Sequence, residues 1–225
     1  MYNKHKLLII LCGLVSNLFS AVNDFIPSDY ESPLANTSVV SFNYLTKELT
    51  TSNLSKEEYI KQNTYFLRYT YGFDIEGKIL ALGFSLPYSD LKTHGDTLSS
   101  YIGEKSTGFN DTVLSASYWL VNDRKNRDFL AITITLYTPN GEYKESQLLN
   151  TGENRYKGTL AMGYITKLSE SFLLELSPEI GFYGDDKTQN CKIEQKNSYS
   201  LSSNLRYKAN NFYELFIGFQ ENYQD

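Results

Sequence analysis

Six charged residues fall on the polar faces of predicted strands, and they are the side chains in this sequence best suited to act on a solute. They are Arg68, Asp74, Glu175, Glu179, Arg206 and Glu214. If they line a water-filled interior, charges of both signs would select solutes by charge. In a small, filled interior, an arginine would instead pair with a glutamate and stabilise the fold without conducting anything. The sequence leaves both interpretations open.

Catalytic and metal-binding chemistry has few candidate residues. Beyond residue 21 the chain has one histidine, His94, and one cysteine, Cys191. Within that part of the chain, an intrachain disulfide and a cluster of histidine metal ligands are therefore excluded. A serine–histidine triad would have to use His94, which falls in a predicted loop without a matching serine and acid. We expect no enzyme activity, no metal and no cofactor.

The charged residues must be positioned by strands, because apolar and polar residues alternate along the chain. Residues 128–138 (DFLAITITLYT) place leucine or isoleucine at every second position, with alanine, threonine or tyrosine between them. A period of two predicts a strand with one face in an apolar environment. Nine such segments begin near residues 38, 64, 78, 111, 128, 156, 171, 198 and 212.

The connections between these strands alternate in length. In order they are long, tight, long, short, long, tight, long and short, which is typical of the extracellular loops and periplasmic turns of an outer-membrane barrel. A soluble lipocalin-like barrel is the alternative, and it would turn the apolar face inward. The polar opposite faces and the aromatic residues near strand ends favour the membrane form. We predict an all-β, antiparallel up-and-down transmembrane β-barrel.

The chain divides into three parts. Residues 1–21 have two lysines, a short apolar run and small residues, which predicts a cleavable signal peptide. Residues 22–37 form a lead-in, and residues 38–225 form the barrel. Without the signal peptide the chain is more acidic than its formal net charge of −5, so we expect no binding to nucleic acid. The expected location is the outer membrane, in contact with its lipid.

The strand count is unusual for a complete barrel. Single-chain bacterial barrels have an even number of strands with both termini in the periplasm, whereas nine strands place the last one ending outside. The sequence ENYQD also ends in Asp225 and not in the C-terminal aromatic residue expected of a last strand. We therefore expect that the barrel continues beyond residue 225.

A long loop after residue 138 carries a dense set of turn-forming residues. Its motif residues are Pro139, Asn140, Gly141, Asn150, Gly152, Asn154 and Arg155. They could form a ligand site, or they could fold the loop back to cap the mouth of the barrel. Capping is the preferred interpretation.

These motifs resemble the "MetA-pathway of phenol degradation" family of outer-membrane transporters. The similarity runs from residues 23–27 (NDFIP) through 83–87 (GFSLP) and 108–111 (GFND), and it is most specific at 137–143 (YTPNGEY) and 150–156 (NTGENRY). The resemblance implies an outer-membrane β-barrel that admits aromatic or other hydrophobic compounds, and it supplies no catalytic residues.

Two functions remain in view. The first is a passive channel for small hydrophobic or aromatic compounds. The alternative is a structural or adhesive barrel whose loops, residues 89–110 and 139–155, bind a partner without transporting anything. The sequence does not define the oligomeric state.

Overall fold

The computed structural model describes residues 30–49, 58–185, 195–209 and 214–224. The predicted signal peptide (residues 1–21) and the first half of the predicted lead-in (residues 22–29) lie outside the described residues. Residues 30–36, the first described segment, contain neither helix nor strand and lead directly into the first strand. They are called the anchor segment below.

Ten strands and one short helix make up the described parts of the chain. The strands are β1 (Thr37–Leu49), β2 (Tyr59–Ile75), β3 (Lys78–His94), β4 (Lys105–Phe109), β5 (Thr112–Asp123), β6 (Asp128–Thr138), β7 (Lys157–Lys167), β8 (Phe172–Tyr183), β9 (Ser198–Lys208) and β10 (Glu214–Gln224). The helix α1 (Asp96–Ile102) lies between β3 and β4. Among the described residues, none of the helices is long and apolar enough to cross a membrane.

The strands form one antiparallel sheet in the order β1-β2-β3-β5-β6-β7-β8-β9-β10, and β4 pairs with β3 beside this path. Each main strand therefore lies next to its sequence neighbour, and the sheet curves into an open half-barrel. Within the described residues, β1 pairs with β2 and β10 pairs with β9, but β1 and β10 do not pair with each other. The predicted up-and-down antiparallel architecture is confirmed.

Short turns close one end of the sheet. Between β2 and β3, Glu76 and Gly77 both have positive φ, 52° and 80°. This is the conformation that suits a two-residue hairpin between twisted strands. The Asp74 carboxylate accepts a hydrogen bond of 2.8 Å from the Gly77 N–H and fixes the turn. We call this end of the sheet the short-turn end and the opposite end the loop end.

The alternation predicted from the sequence sets which face of the sheet is apolar. On β6, Ile134 lies on the outer face and is 60% exposed, whereas Ala131 lies on the inner face and is 0% exposed. The same division recurs on the other strands, where Phe42, Leu67 and Leu160 are exposed and Thr64, Thr159 and Ser202 are buried. A soluble barrel would have the reverse arrangement, because it buries its apolar face.

The structure corrects the prediction that residues 89–110 form a long polar connection. Strand β3 continues to His94, helix α1 follows, and β4 returns to pair with β3. The alternation was hidden because β3 extends beyond the apolar belt, where its outer side chains are polar. Strand β4 has five residues and only one large apolar side chain, Phe109, too little to produce a period.

A charge placed on the outer face should destabilise the protein only when lipid surrounds that face. We expect Ile134→Arg to lower the free energy of unfolding in lipid vesicles by about 2–4 kcal/mol. Ser146→Arg, in an exposed loop, is the matched control and should have little effect. Urea titration of both variants in vesicles measures the difference, and equal stability of the two variants would contradict the outward apolar face.

Candidate solute chamber

The concave side of the sheet forms a partly open cavity of about 480 Å³, called the chamber below. Its middle is lined by a row of small residues that pair across four strands: Thr70 on β2, Gly83 on β3, Ser115 on β5 and Thr135 on β6. A Cβ at Gly83 would collide with the Ser115 hydroxyl, so a larger residue here would force the Ser115 side chain to move. The wall therefore presents hydroxyl groups with little side-chain bulk.

Two residues along each strand toward the loop end, the next row of side chains in the chamber wall is larger and more varied. Arg68 pairs with Ser85, Ser85 with Val113, and Val113 with Tyr137. Within the described part of the chain, the buried Ser85 Oγ and Asn110 Oδ1 have no hydrogen-bond partner, and both residues line the chamber. A solute that donates a hydrogen bond could therefore satisfy them.

The short-turn end of the interior is filled by apolar side chains. Tyr30 of the anchor segment packs against a buried cluster, and its ring occupies the space that a side chain at Gly163 would need. Trp119 Nε1–H donates to the Tyr30 carbonyl oxygen at 2.8 Å, and the Ser177 hydroxyl donates to Tyr30 Oη at 2.9 Å. The cluster consists of Ile79, Ala81, Trp119, Phe129, Ala131 and Ile165.

An ion cluster holds the anchor segment beside these apolar residues. Glu31 contacts Arg206 and, at 2.9 Å, Arg127. Arg206 Nε also lies 2.6 Å from the carboxylate of Glu175, which is 0% exposed, and Glu214 lies 3.0 Å from Arg206. Burial alone would raise the pKa of Glu31, but hydrogen bonds and charge from Arg206 and Arg127 outweigh it and lower that pKa below 4.5.

The loop end is covered by residues 139–155, called the cap loop. The buried Asp111 carboxylate accepts hydrogen bonds from the backbone N–H groups of Gly141 and Glu153, each at 2.9 Å. Burial raises the pKa of Asp111, and these two hydrogen bonds offset part of that rise. A Cβ at Gly152 would lie 2.8 Å from the backbone of Gly141, and a Cβ at Gly141 would lie 2.7 Å from the backbone of Asn110 and Asp111, so glycine at both positions lets the loop pack this closely.

The predicted motif residues of the cap loop contribute to this closure in different ways. The Asn140 side chain forms hydrogen bonds with Thr112, and the Asn150 side chain forms hydrogen bonds with the backbone of Lys144 and Gln147. Asn154 adopts a positive φ of 55°. Arg155 is buried and lies 4.0 Å from Glu153, and Pro139 is half-buried after the end of β6. Asn150 also lines the chamber, together with Glu153.

The six charged residues predicted to face the interior separate into three places. Arg68 and Glu179 line the chamber. Asp74 is exposed and caps the β2–β3 turn. The other three belong to the ion cluster at the short-turn end: Glu175, Arg206 and Glu214.

Sequence reasoning missed several residues that shape the chamber. Tyr30 and Glu31 lie in a segment with no periodicity, and their partners Trp119 and Arg206 are far away in sequence. Asp111 stands at the start of a predicted strand, and nothing in the local sequence distinguishes it from other polar residues.

His94, the one candidate catalytic base, lies at the end of β3, and its ring stacks on that of Tyr59 with the ring centres 4.4 Å apart. Among the described residues, no group of three histidine, cysteine or acidic side chains could hold a metal ion.

Comparison with protein families places these features in context. Residues 50–225 match the family described as "Putative MetA-pathway of phenol degradation". The chain belongs to this family. A search of curated proteins gives no significant match.

A solved structure of an outer membrane channel from Pseudomonas putida F1 is similar to this family member. The two chains share 25% identity and superpose with a TM-score of 0.79 over 89% of this chain and 77% of the channel. The similarity supports an outer-membrane channel and a role other than catalysis.

Removing the charge of Glu31 should loosen the anchor segment. We expect Glu31→Gln to weaken docking of the segment by about 1–3 kcal/mol, because Arg127 and Arg206 lose their shared carboxylate. Trp119 is the only tryptophan and it bonds Tyr30, so its fluorescence should shift to longer wavelength as water reaches it.

Acid should have the same effect on the parent protein. Because the pKa of Glu31 is lowered in the folded state, its contribution to docking of the anchor segment is fully present above pH 4.5 and is lost as the pH falls through the lower, folded pKa.

The matched control for Glu31→Gln is Glu76→Gln, at the exposed β2–β3 turn. Unchanged fluorescence of the Glu31→Gln variant would show that the ion cluster does not hold the segment.

Proposed function

We propose that this protein is a passive outer-membrane channel for small hydrophobic or aromatic compounds. The observation that carries the proposal is a hydroxyl-lined chamber inside a sheet whose outer face is apolar. The family and the structural similarity support the same general role. Export through the signal peptide of residues 1–21 would bring the chain to the outer membrane.

The chamber wall suits a solute that is apolar in part and carries a hydrogen-bonding group. Val113 and Tyr137 offer an apolar surface, whereas Ser85 and Asn110 offer hydrogen-bond acceptors in the same region. Arg68 lines the cavity together with four acidic residues, Glu31, Asp111, Glu153 and Glu179, so the lining disfavours anions and suits an uncharged solute. Contacts of this weak, mixed kind let a solute enter and leave, which conduction requires.

Passage also requires movement at both ends of the chamber. At the loop end, a solute must pass the cap loop, which is held by Asp111 with its backbone donors and by the hydrogen bonds between Asn140 and Thr112. At the short-turn end, it must pass Tyr30, which contacts the wall through hydrogen bonds and apolar packing. The anchor segment has no strand pairing of its own, so it can move without breaking the pairing between strands.

A bulky residue on the inner face should block the chamber, whereas the same residue on the outer face should not. We expect Thr135→Phe to lower single-channel conductance in planar bilayers at least about twofold, because pore width limits permeation. Ile134→Phe is the matched control on the next residue of β6, facing outward. Liposome swelling with phenol and with glucose should report the same loss.

The control defines what would contradict the proposal. Equal conductance of the two variants and the parent protein would exclude the chamber as the path of the solute. A chain that inserts into bilayers and conducts nothing would favour the structural or adhesive role, in which residues 89–110 and the cap loop bind a partner.

A further inference from the structure

The outer face of β2, β3 and β4 changes character in regular rows toward the loop end. An aromatic row, Tyr65, Tyr88 and Phe109, lies just above the apolar belt. The next outward row is Asn63, Asp90 and Thr107, and the row beyond it is Lys61, Lys92 and Lys105. Three lysines thus lie side by side on three adjacent strands.

This lysine row is unfavourable for the protein alone. Directly opposed like charges on neighbouring strands repel one another, and Lys92 is flanked by a lysine on each side. Lys105 pairs with Asp90 at 3.2 Å, and Glu48 is the register partner of Lys61. Within the described part of the chain, Lys61 and Lys92 make no ion pair within 4 Å. Both side chains are exposed.

The height of the row matches the headgroup region of a bilayer. The lysines lie four residues beyond the aromatic row, about 13 Å along a strand, and less along the membrane normal because barrel strands are tilted. Aromatic side chains mark the boundary of the hydrocarbon core. Lysine side chains are long enough to reach back toward charged groups at that boundary.

We propose that Lys61, Lys92 and Lys105 bind the phosphate groups of a phosphorylated glycolipid in the outer leaflet. The proposal rests on the proposed outer-membrane location, with the loop end facing outward. Three cations on adjacent strands extend about 10 Å, so the row can contact two phosphates of one headgroup or phosphates of neighbouring lipids. The anionic headgroup removes the repulsion that the row has in the protein alone.

The test measures lipid binding directly. The full chain, folded in detergent micelles, is mixed with diphosphoryl lipid A, monophosphoryl lipid A or phosphatidylglycerol, and bound lipid is counted by native mass spectrometry. The triple variant Lys61→Gln, Lys92→Gln, Lys105→Gln should lose diphosphoryl lipid A affinity about 10- to 100-fold. The corresponding triple arginine variant should retain it.

A second triple variant controls for total charge. Lys78→Gln, Lys125→Gln and Lys208→Gln remove three lysines at the short-turn end and should leave lipid A affinity unchanged. Equal loss in both glutamine variants would overturn the site, and so would no loss in either. Equal affinity of the parent protein for phosphatidylglycerol would overturn the choice of a glycolipid.

The experiment tests the lipid site and the proposed channel function separately. Binding is read in micelles and does not depend on solute passage, so loss of the proposed channel function would not remove it. The triple glutamine variant should also conduct like the parent protein in bilayers, because its lysines lie outside the chamber. A shift in gel mobility on boiling confirms that each variant is folded.

Discussion

The outward orientation of the apolar face is the constraint on which the rest of the structure depends. In lipid, every backbone N–H and C=O must be satisfied within the protein, and a curved antiparallel sheet achieves this along all of its internal strands. Because side chains alternate along a strand, turning Ile134 outward necessarily turns Thr133 and Thr135 inward. The polar chamber therefore follows from the same alternation that makes the outer surface apolar.

An interior built in this way must neutralise its own charges. Glu175 is completely buried, and removal of a partner from such a charge is strongly destabilising. Arg206 forms ion pairs with Glu175 on β8, Glu214 on β10 and Glu31 in the anchor segment. One guanidinium therefore joins two strands and the anchor segment. The element that fills the short-turn end is thus held by the charges that the barrel interior has to pair.

The sequence predicts the parts of the structure that repeat. Alternation along residues 128–138 identifies β6 and both of its faces, and the lengths of the connections identify the antiparallel order. Strand β4 and the far end of β3 were missed because their outer faces lie beyond the apolar belt, where the alternation disappears. Contacts such as Glu31 with Arg206 join residues that are distant in sequence, and no local pattern marks either partner.

The most direct test of the outward apolar face is the lipid accessibility of consecutive residues on β6. Single cysteines are introduced at positions 132 to 137 of a variant in which Cys191 is replaced by serine, and each is labelled with a fluorophore in vesicles containing brominated lipid. Quenching should be strong at Ile132, Ile134 and Leu136 and weak at Thr133, Thr135 and Tyr137. Uniform quenching, or quenching in the opposite phase, would contradict an apolar face turned toward lipid.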